Sequence, residues 1–434
     1  MFALKLKFLV LIGFGIGFLP KAFGEELLTL DQAVQEALQE NPALKAEEAS
    51  VNAARANIGV AKSLDNPMAG VEFYQVPIST YAPDQAMDIN YSLIQKFPFP
   101  GKLKSKKRAA ESEFKSELAG YDTKRLVTQV ETEHAFHELY FSEKSLAITH
   151  QLKNLFAKLA ASEGARYATA NKTSQDYLKS KAEMETLESE EALLEAEKIG
   201  AQAMLNILRH KNPSEAIRIA DLPRHDHVFP DYQEFEEIVL KKHPELKLAE
   251  NQLSAQRSNV SFARKEASLP DIQIRGTFAQ RKDTQNAWTA EAMINIPFLW
   301  EKNRKALQEA KARELQAKHQ LVSQTDQRLA SLKEAYARFE NSKKSYGIYR
   351  TKILPNLSVA MKSAQTAYEA GRTDFINFID TAREYKKAEL AALKALVDYH
   401  SAISDLKYAV GEDFMSSIMD HGQGTEDQGP GRKK

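Results

Sequence analysis

The 434-residue sequence predicts a mainly α-helical protein that also carries four membrane-type β-strands in each chain. Three observations lead to this fold class. The chain is duplicated in tandem, each half contains a long proline-free stretch with helical periodicity, and each half contains two segments of about ten residues with alternating polarity. The long stretches are predicted to form helical hairpins, and the strands are predicted to join a barrel shared between copies of the chain.

Residues 1–24 have the order of regions found in a secretory signal peptide. Two lysines precede the apolar run Phe8–Leu19, and small residues at Ala22–Gly24 follow it. The run is short for a membrane-spanning helix, although an uncleaved anchor is the alternative interpretation. We therefore expect an exported protein whose mature part has no helical membrane span.

Composition excludes several functions. The chain has no cysteine, which removes thiolate catalysis, cysteine-based zinc sites and disulfides. Its formal net charge is zero, so no basic excess indicates a nucleic-acid partner.

Internal matches at an offset of about 200 residues define the duplication. Their order is the same in both halves. They include Asn41–Lys45 with His243–Lys247, Phe97–Phe99 with Ile296–Phe298, and Tyr167–Thr173 with Tyr368–Thr373. The predicted repeats are residues 25–221 and 222–411, and the polar tail 412–434 is predicted to be disordered.

Within each repeat, a capped helix comes first and a pair of strands follows. Thr29–Gln32 has the capping-box pattern, and Asp231–Glu234 occupies the same place in the second repeat. The strand pairs are predicted at about 68–97 and 271–296, as Met68–Val76 with Met87–Phe97 and Asp271–Arg281 with Ala287–Ile296.

The stretches after the strands predict long helices, from Lys102 to about Ala161 and from Arg304 to Tyr349. About 60 helical residues extend roughly 90 Å, longer than a compact domain requires. Heptad-like, alanine-rich patterning indicates that they pack as coiled-coil hairpins.

The second strand stops at Pro98 and Pro100, which cannot donate to a ladder, and Gly101 allows the turn into the helix. Basic residues then crowd the helix start, a place unfavourable for cations. They are Lys102, Lys104, Lys106, Lys107 and Arg108. Two interpretations stay open: a solvated helix start, or side chains that reach lipid headgroups.

Four amphipathic strands cannot pair all of their backbone groups in lipid, where each unpaired group costs several kcal/mol. A barrel of four strands is too narrow to close. Several copies of the chain are therefore predicted to build one barrel around a wet interior.

No catalytic constellation is present, so we expect neither enzyme activity nor a cofactor. His134 and His137 have a spacing compatible with a metal pair, and a solvated or tunnel-lining helix face is the alternative.

The ordered motifs resemble the TolC-like outer-membrane efflux channel family. They are Asn41-Pro42-Ala43-Leu44, Pro98-Phe99-Pro100-Gly101-Lys102 and the reversal Tyr368–Thr373. The resemblance implies a trimer with a twelve-stranded barrel in the outer membrane and a helical tunnel through the periplasm. It also implies an exit duct for a tripartite pump or a type I secretion system.

The implied partners are two further copies of the chain, outer-membrane lipid, a periplasmic adaptor (membrane fusion protein) and an inner-membrane pump of the RND or ABC type. The family's helical reversals form the periplasmic tip, and Asp380 stands where an acidic tunnel-mouth residue would lie. The implied tip and adaptor-contact residues are Tyr167, Asn171, Thr173, Tyr368, Gly371, Arg372, Thr373 and Asp374. Asn377 departs from the second acidic position sometimes found there.

The alternative classes are a periplasmic coiled-coil adaptor and a structural protein of the cell envelope. An adaptor would contain a block of many short strands, which the sequence lacks. A structural rod would not explain the signal peptide or the four alternating segments.

Overall fold

The computed structural model describes residues 27–168, 174–223, 229–297 and 300–411. The predicted signal peptide (1–24) and the predicted tail (412–434) lie outside these ranges.

Both repeats contain the same elements in the same order: two short helices, two strands and a long helical hairpin. The first repeat comprises α1 (Leu30–Glu40), α2 (Pro42–Lys62), β1 (Met68–Tyr74), β2 (Asp88–Phe97), α3 (Lys102–Ala168) and α4 (Ser174–Leu208). The second comprises α5 (Tyr232–Lys242), α6 (Pro244–Ser268), β3 (Ile272–Arg281), β4 (Ala287–Ile294), α7 (Glu301–Ile348), a π-helical turn (Tyr349–Ile353), α8 (Leu354–Glu369) and α9 (Phe375–Val410).

The predicted capping box at Thr29 is confirmed. The Gln32 N–H donates to the Thr29 hydroxyl at 3.2 Å, and the Thr29 N–H donates to the Gln32 side chain at 2.9 Å. In the second repeat, the Asp231 carboxylate accepts from the Glu234 N–H at 3.0 Å. These bonds satisfy backbone donors that the first helical turn leaves free.

The strands form one antiparallel sheet in the order β1–β2–β3–β4, so the central pair joins the two repeats. One face of this sheet is apolar. Val71, Tyr91, Phe278 and Trp288 lie side by side across the four strands and are 44–79% exposed. A contiguous row of large exposed apolar side chains indicates a face that contacts lipid or another protein.

The opposite face is polar. Asn90 donates to Glu72 at 3.0 Å, and Arg275 pairs with Glu291 at 3.3 Å. β1 and β4 each have a sheet partner on one side only. The sheet therefore has the two-faced character predicted for a barrel segment, with two open edges.

Two strands end earlier than predicted. β1 stops at Tyr74 instead of Val76, because Gln75 has a left-handed backbone (φ 54°) that leaves the extended conformation. β4 stops at Ile294 instead of Ile296, because the Asp271 N–H donates to the Asn295 side chain in place of its backbone carbonyl.

The helix α3 runs without interruption for 67 residues, about 100 Å at 1.5 Å per residue. Its counterpart is interrupted by the π-helical turn Tyr349–Ile353 shortly before Pro355. Proline lacks an N–H and its ring crowds the preceding turn, which accounts for the local widening. None of the described helices carries an apolar stretch suited to crossing a membrane.

Each repeat has its own core, in which the short first helix packs against the long hairpin. The first core includes Ala33, Phe136, Leu139 and Leu205. The second includes Phe235, Leu332, Phe339 and Leu406. A third core lies below the reversal between α8 and α9 and joins the two hairpins.

Candidate functional site

A buried charge cluster connects the sheet to the long helix α3. The Lys102 ammonium is fully buried and lies 2.6 Å from Asp271 Oδ1 and 3.2 Å from Glu266 Oε1. The Phe99 N–H also donates to Asp271, at 3.2 Å, and Lys96 lies 3.2 Å from its other oxygen. Asp271 therefore holds the end of β2, the start of α3 and the start of β3 together.

The interpretation that the basic residues reach lipid headgroups is wrong for Lys102, because its charge is paired inside the protein. Lys107 pairs with Glu111 at 2.9 Å on the surface of α3, and the Lys106 ammonium lies 5.4 Å from the centre of the Phe262 ring. These three cations have partners within the chain.

The second reversal turns the chain between α8 and α9 within a few residues. Gly371 has the left-handed conformation predicted for it, with φ +71°. The Arg372 N–H donates to the Ala367 carbonyl at 2.8 Å, and the Gly371 N–H donates to Tyr368 at 3.0 Å. This is the bonding of a glycine-terminated helix end. Asp374 then caps α9 by accepting from the Asn377 N–H at 3.0 Å.

Aromatic rings support this reversal from inside. The Tyr368 ring stacks on Phe378 at 5.3 Å and contacts Phe375 at 5.6 Å. Phe378 in turn contacts Phe156 of α3 at 6.5 Å. The position of the turn is therefore fixed by packing against the first hairpin.

The predicted tip residues fall into three groups. Arg372 and Asp374 are exposed and Thr373 is half-buried, so these three can meet a partner. Tyr368 is only 5% exposed, so its ring packs inside the protein and is not available for the adaptor contact that the resemblance implied. Asn171 and Thr173 lie outside the described residues, and of Tyr167 only the helical backbone is described.

Asp380, the predicted tunnel-mouth residue, is exposed and lies 3.6 Å from Arg383. Arg383 donates from Nε to Glu183 of α4 at 2.9 Å, and Lys386 pairs with Glu190 of the same helix. Two ion pairs therefore bridge the first hairpin and α9 just beyond the reversal between α8 and α9.

His134 and His137 have different partners within the protein. His134 bonds to Asp405 of α9 at 2.9 Å, and this bond raises the pKa of the imidazole. His137 is 2% exposed, so it is not on a solvated face, and it lies 3.3 Å from the Ser401 hydroxyl. Among the described residues no group of three or more acidic or histidine side chains is placed to hold a metal.

Several residues that organise this region carry no individual signal in the sequence. Asp271 follows Pro270 at the start of a strand, and this position in the sequence does not indicate a buried ion pair. The bridging carboxylates Glu183 and Glu190 are one heptad apart on α4, which marks one face of the helix but does not reveal its partner.

A sequence model of one family, described as outer membrane efflux protein, matches the chain twice, over residues 33–208 and 237–412. Each match contains two strands and a helical hairpin, in agreement with the predicted duplication. A search of curated proteins finds no match.

Solved structures with the same fold include several outer-membrane channels. A membrane protein from Pseudomonas aeruginosa superposes with a TM-score of 0.76 at 20% identity, covering 88% of this chain and 90% of that one. The open state of the Neisseria gonorrhoeae MtrE outer membrane channel gives 0.76 at 19% identity, covering 88% and 89%. The Campylobacter jejuni CmeC outer membrane channel gives 0.71 at 17% identity, covering 92% and 90%.

Proposed function

Because the chain belongs to the outer membrane efflux protein family, we propose that it is the exit duct of a tripartite efflux pump or a type I secretion system. It is an outer-membrane channel protein with a long periplasmic part, and its family is not one of enzymes. The proposal adds the assembly and its partners: a homotrimer, a periplasmic adaptor and an inner-membrane pump of the RND or ABC type.

The observation that carries the proposal is the two-faced sheet with open edges. An edge strand in lipid leaves backbone groups unpaired, each at a cost of several kcal/mol. If β4 of one copy pairs with β1 of the next, both edges are removed. Three copies of this four-stranded sheet give a twelve-stranded barrel, with the apolar face toward lipid and the polar face toward the channel.

The long helices would continue this channel through the periplasm. The exposed residues Arg372 and Asp374 and the half-buried Thr373 at the reversal are the proposed contacts for an adaptor. The carboxylate of Asp380 is the proposed tunnel-mouth group, and the neighbouring ion pairs of Arg383 and Lys386 would help to hold the mouth closed.

A pair of substitutions in the middle of β2 tests the assignment of the two sheet faces. Leu93 lies on the apolar face and is 59% exposed, whereas Ser92 lies on the polar face. A lysine on the lipid face near the bilayer midplane costs about 2–4 kcal/mol, whereas a lysine facing water in the channel costs little. Leu93→Lys should therefore reduce insertion, and Ser92→Lys is the matched control.

The readouts are the amount of protein in outer-membrane fractions and the conductance of purified protein in planar bilayers. The proposal expects Ser92→Lys to insert and conduct ions, and Leu93→Lys to be depleted from the membrane. Equal insertion of both variants, or wild-type protein that gives no conductance, would overturn it.

A further inference from the structure

A cavity of ≈ 530 Å³ lies in the groove between the α3–α4 hairpin and α9, above the helical tip. Sites that hold small organic molecules have volumes of about 300–1,000 Å³. The lining extends along α4 from Glu183 to Leu194, which is about 16 Å at 1.5 Å per residue. The cavity is therefore long enough for an elongated guest.

Two hydroxyl groups at the floor of this cavity lack hydrogen-bond partners. Ser145 and Thr149, one turn apart on α3, are 1% and 0% exposed, and their hydroxyl oxygens bond to nothing in the part of the chain that the structure describes. By contrast, the buried Thr132 on the same helix donates to the Thr128 carbonyl at 2.7 Å. An unpartnered buried hydroxyl is costly and rare, so this pair needs an explanation.

The charged groups of the lining carry an excess of positive charge. Arg383 pairs with Glu183, and Lys386 pairs with Glu190. Lys387 lines the same cavity, is exposed, and forms no ion pair within the described residues. One ammonium group is therefore available to an anion.

The remaining walls are apolar. Phe141, Leu187 and Leu390 face the cavity from α3, α4 and α9 respectively. They offer a non-directional surface for a hydrocarbon body, whose burial is favourable in proportion to its area.

We propose that this cavity binds an amphipathic carboxylate with a second hydrogen-bonding group on an otherwise apolar body. Its carboxylate would pair with the Lys387 ammonium, its body would contact the apolar walls, and its hydroxyl or carbonyl would bond to Ser145 and Thr149. The carboxylate would also compete with Glu183 and Glu190 for the bridging cations, which places the site where binding can loosen the contact between the hairpins. This inference goes beyond the exit-duct function and does not depend on it.

The test uses 12-hydroxydodecanoate as the probe, because it has a carboxylate and a hydroxyl at opposite ends of an apolar chain. The full protein is reconstituted in lipid nanodiscs, and binding is measured by isothermal titration calorimetry with empty nanodiscs subtracted. Dodecyltrimethylammonium, which has a similar chain and the opposite charge, is the control probe.

Two variants remove one polar contact each, with a matched control for each. Lys387→Gln removes the free ammonium, and Thr149→Val removes a floor hydroxyl without a large change in volume. The controls are Lys344→Gln on the exposed face of α7 and Thr132→Val at a buried, bonded hydroxyl of α3. Because the Thr149 hydroxyl has no hydrogen-bond partner among the described residues, Thr149→Val is expected to fold at least as stably as the wild type.

We expect saturable binding of the hydroxy acid by the wild type and both controls, and affinity about five- to tenfold weaker in Lys387→Gln and in Thr149→Val. We expect dodecyltrimethylammonium to bind more weakly than the hydroxy acid. The proposal is overturned if the wild type does not bind the hydroxy acid saturably, if both variants bind it like the wild type, or if the two probes bind equally.

Discussion

In the buried charge cluster at the junction of sheet and helix, loss of the carboxylate and loss of the ammonium should reduce stability by different amounts. Asp271→Ala removes the carboxylate and leaves the fully buried Lys102 ammonium with only the partly exposed Glu266. Lys102→Met removes the cation and fills its space with an apolar chain, while Asp271 keeps the Phe99 N–H and Lys96. The two halves of one ion pair should therefore differ in cost.

The magnitudes follow from what each change leaves behind. Leaving a buried charge largely uncompensated costs about 3–5 kcal/mol, so Asp271→Ala should lower the free energy of unfolding by that amount. Lys102→Met loses a charged hydrogen bond but leaves no isolated charge, so it should lower the free energy of unfolding by about 1–3 kcal/mol. The surface control Lys107→Met breaks a pair in which both side chains are more than 40% exposed, and at most about 1 kcal/mol is expected.

The assay is guanidinium unfolding of the purified protein in detergent, followed by circular dichroism of the helices. The double variant Lys102→Met/Asp271→Leu should recover part of the loss, because an apolar replacement of a whole buried pair is often neutral. If Lys102→Met and Asp271→Ala cost no more than Lys107→Met, the cluster does not hold the junction together and the reasoning fails.

Three further predictions concern single positions. Gly411→Ala should lower the free energy of unfolding by about 2–4 kcal/mol, because φ is +87° and the new Cβ would lie 2.7 Å from the His243 ring. The control Gly200→Ala, which adds a Cβ in open space on a helix, should raise the free energy of unfolding by up to about 1 kcal/mol. Equal effects of the two substitutions would contradict this prediction. Gly371→Val should weaken capture of the protein by its adaptor, because φ is +71° and a β-branched residue avoids the left-handed region of backbone conformation. Unchanged capture would show that the turn has no role in docking. For His134, the raised pKa means that the charged form is favoured in the folded state, so its stabilising effect is fully present below about pH 6.5 and is lost as the pH rises through the folded pKa. The melting-temperature difference between wild type and His134→Gln should therefore shrink from pH 6 to pH 9, and a constant difference would contradict it.

Most of the fold follows from patterns that are local in the sequence. Alternation over about ten residues predicts the strands, and absence of proline predicts the long helices. Chain turns can be predicted where one residue type is required, as at Gly371. The ends of β1 and β4 could not be predicted, because they depend on the backbone of Gln75 and on the bond from the Asp271 N–H to the Asn295 side chain.

The candidate site was harder to predict because its contacts join residues far apart in the chain. A run of basic residues at a helix start indicates exposed charge, yet Lys102 is buried because Asp271, in the other repeat, lies beside it. Tyr368 shares the reversal motif with exposed residues, but its ring packs against the first hairpin. Sequence motifs predicted the turn at Gly371, whereas pairing across repeats required the structure.

The central claim is that four strands per chain become a closed membrane barrel only when three chains contribute. Native mass spectrometry of the detergent-purified protein tests it most directly. We expect a single species with three times the mass of the mature chain, which persists on dilution. A stable monomer that retains its β-sheet signal would contradict it.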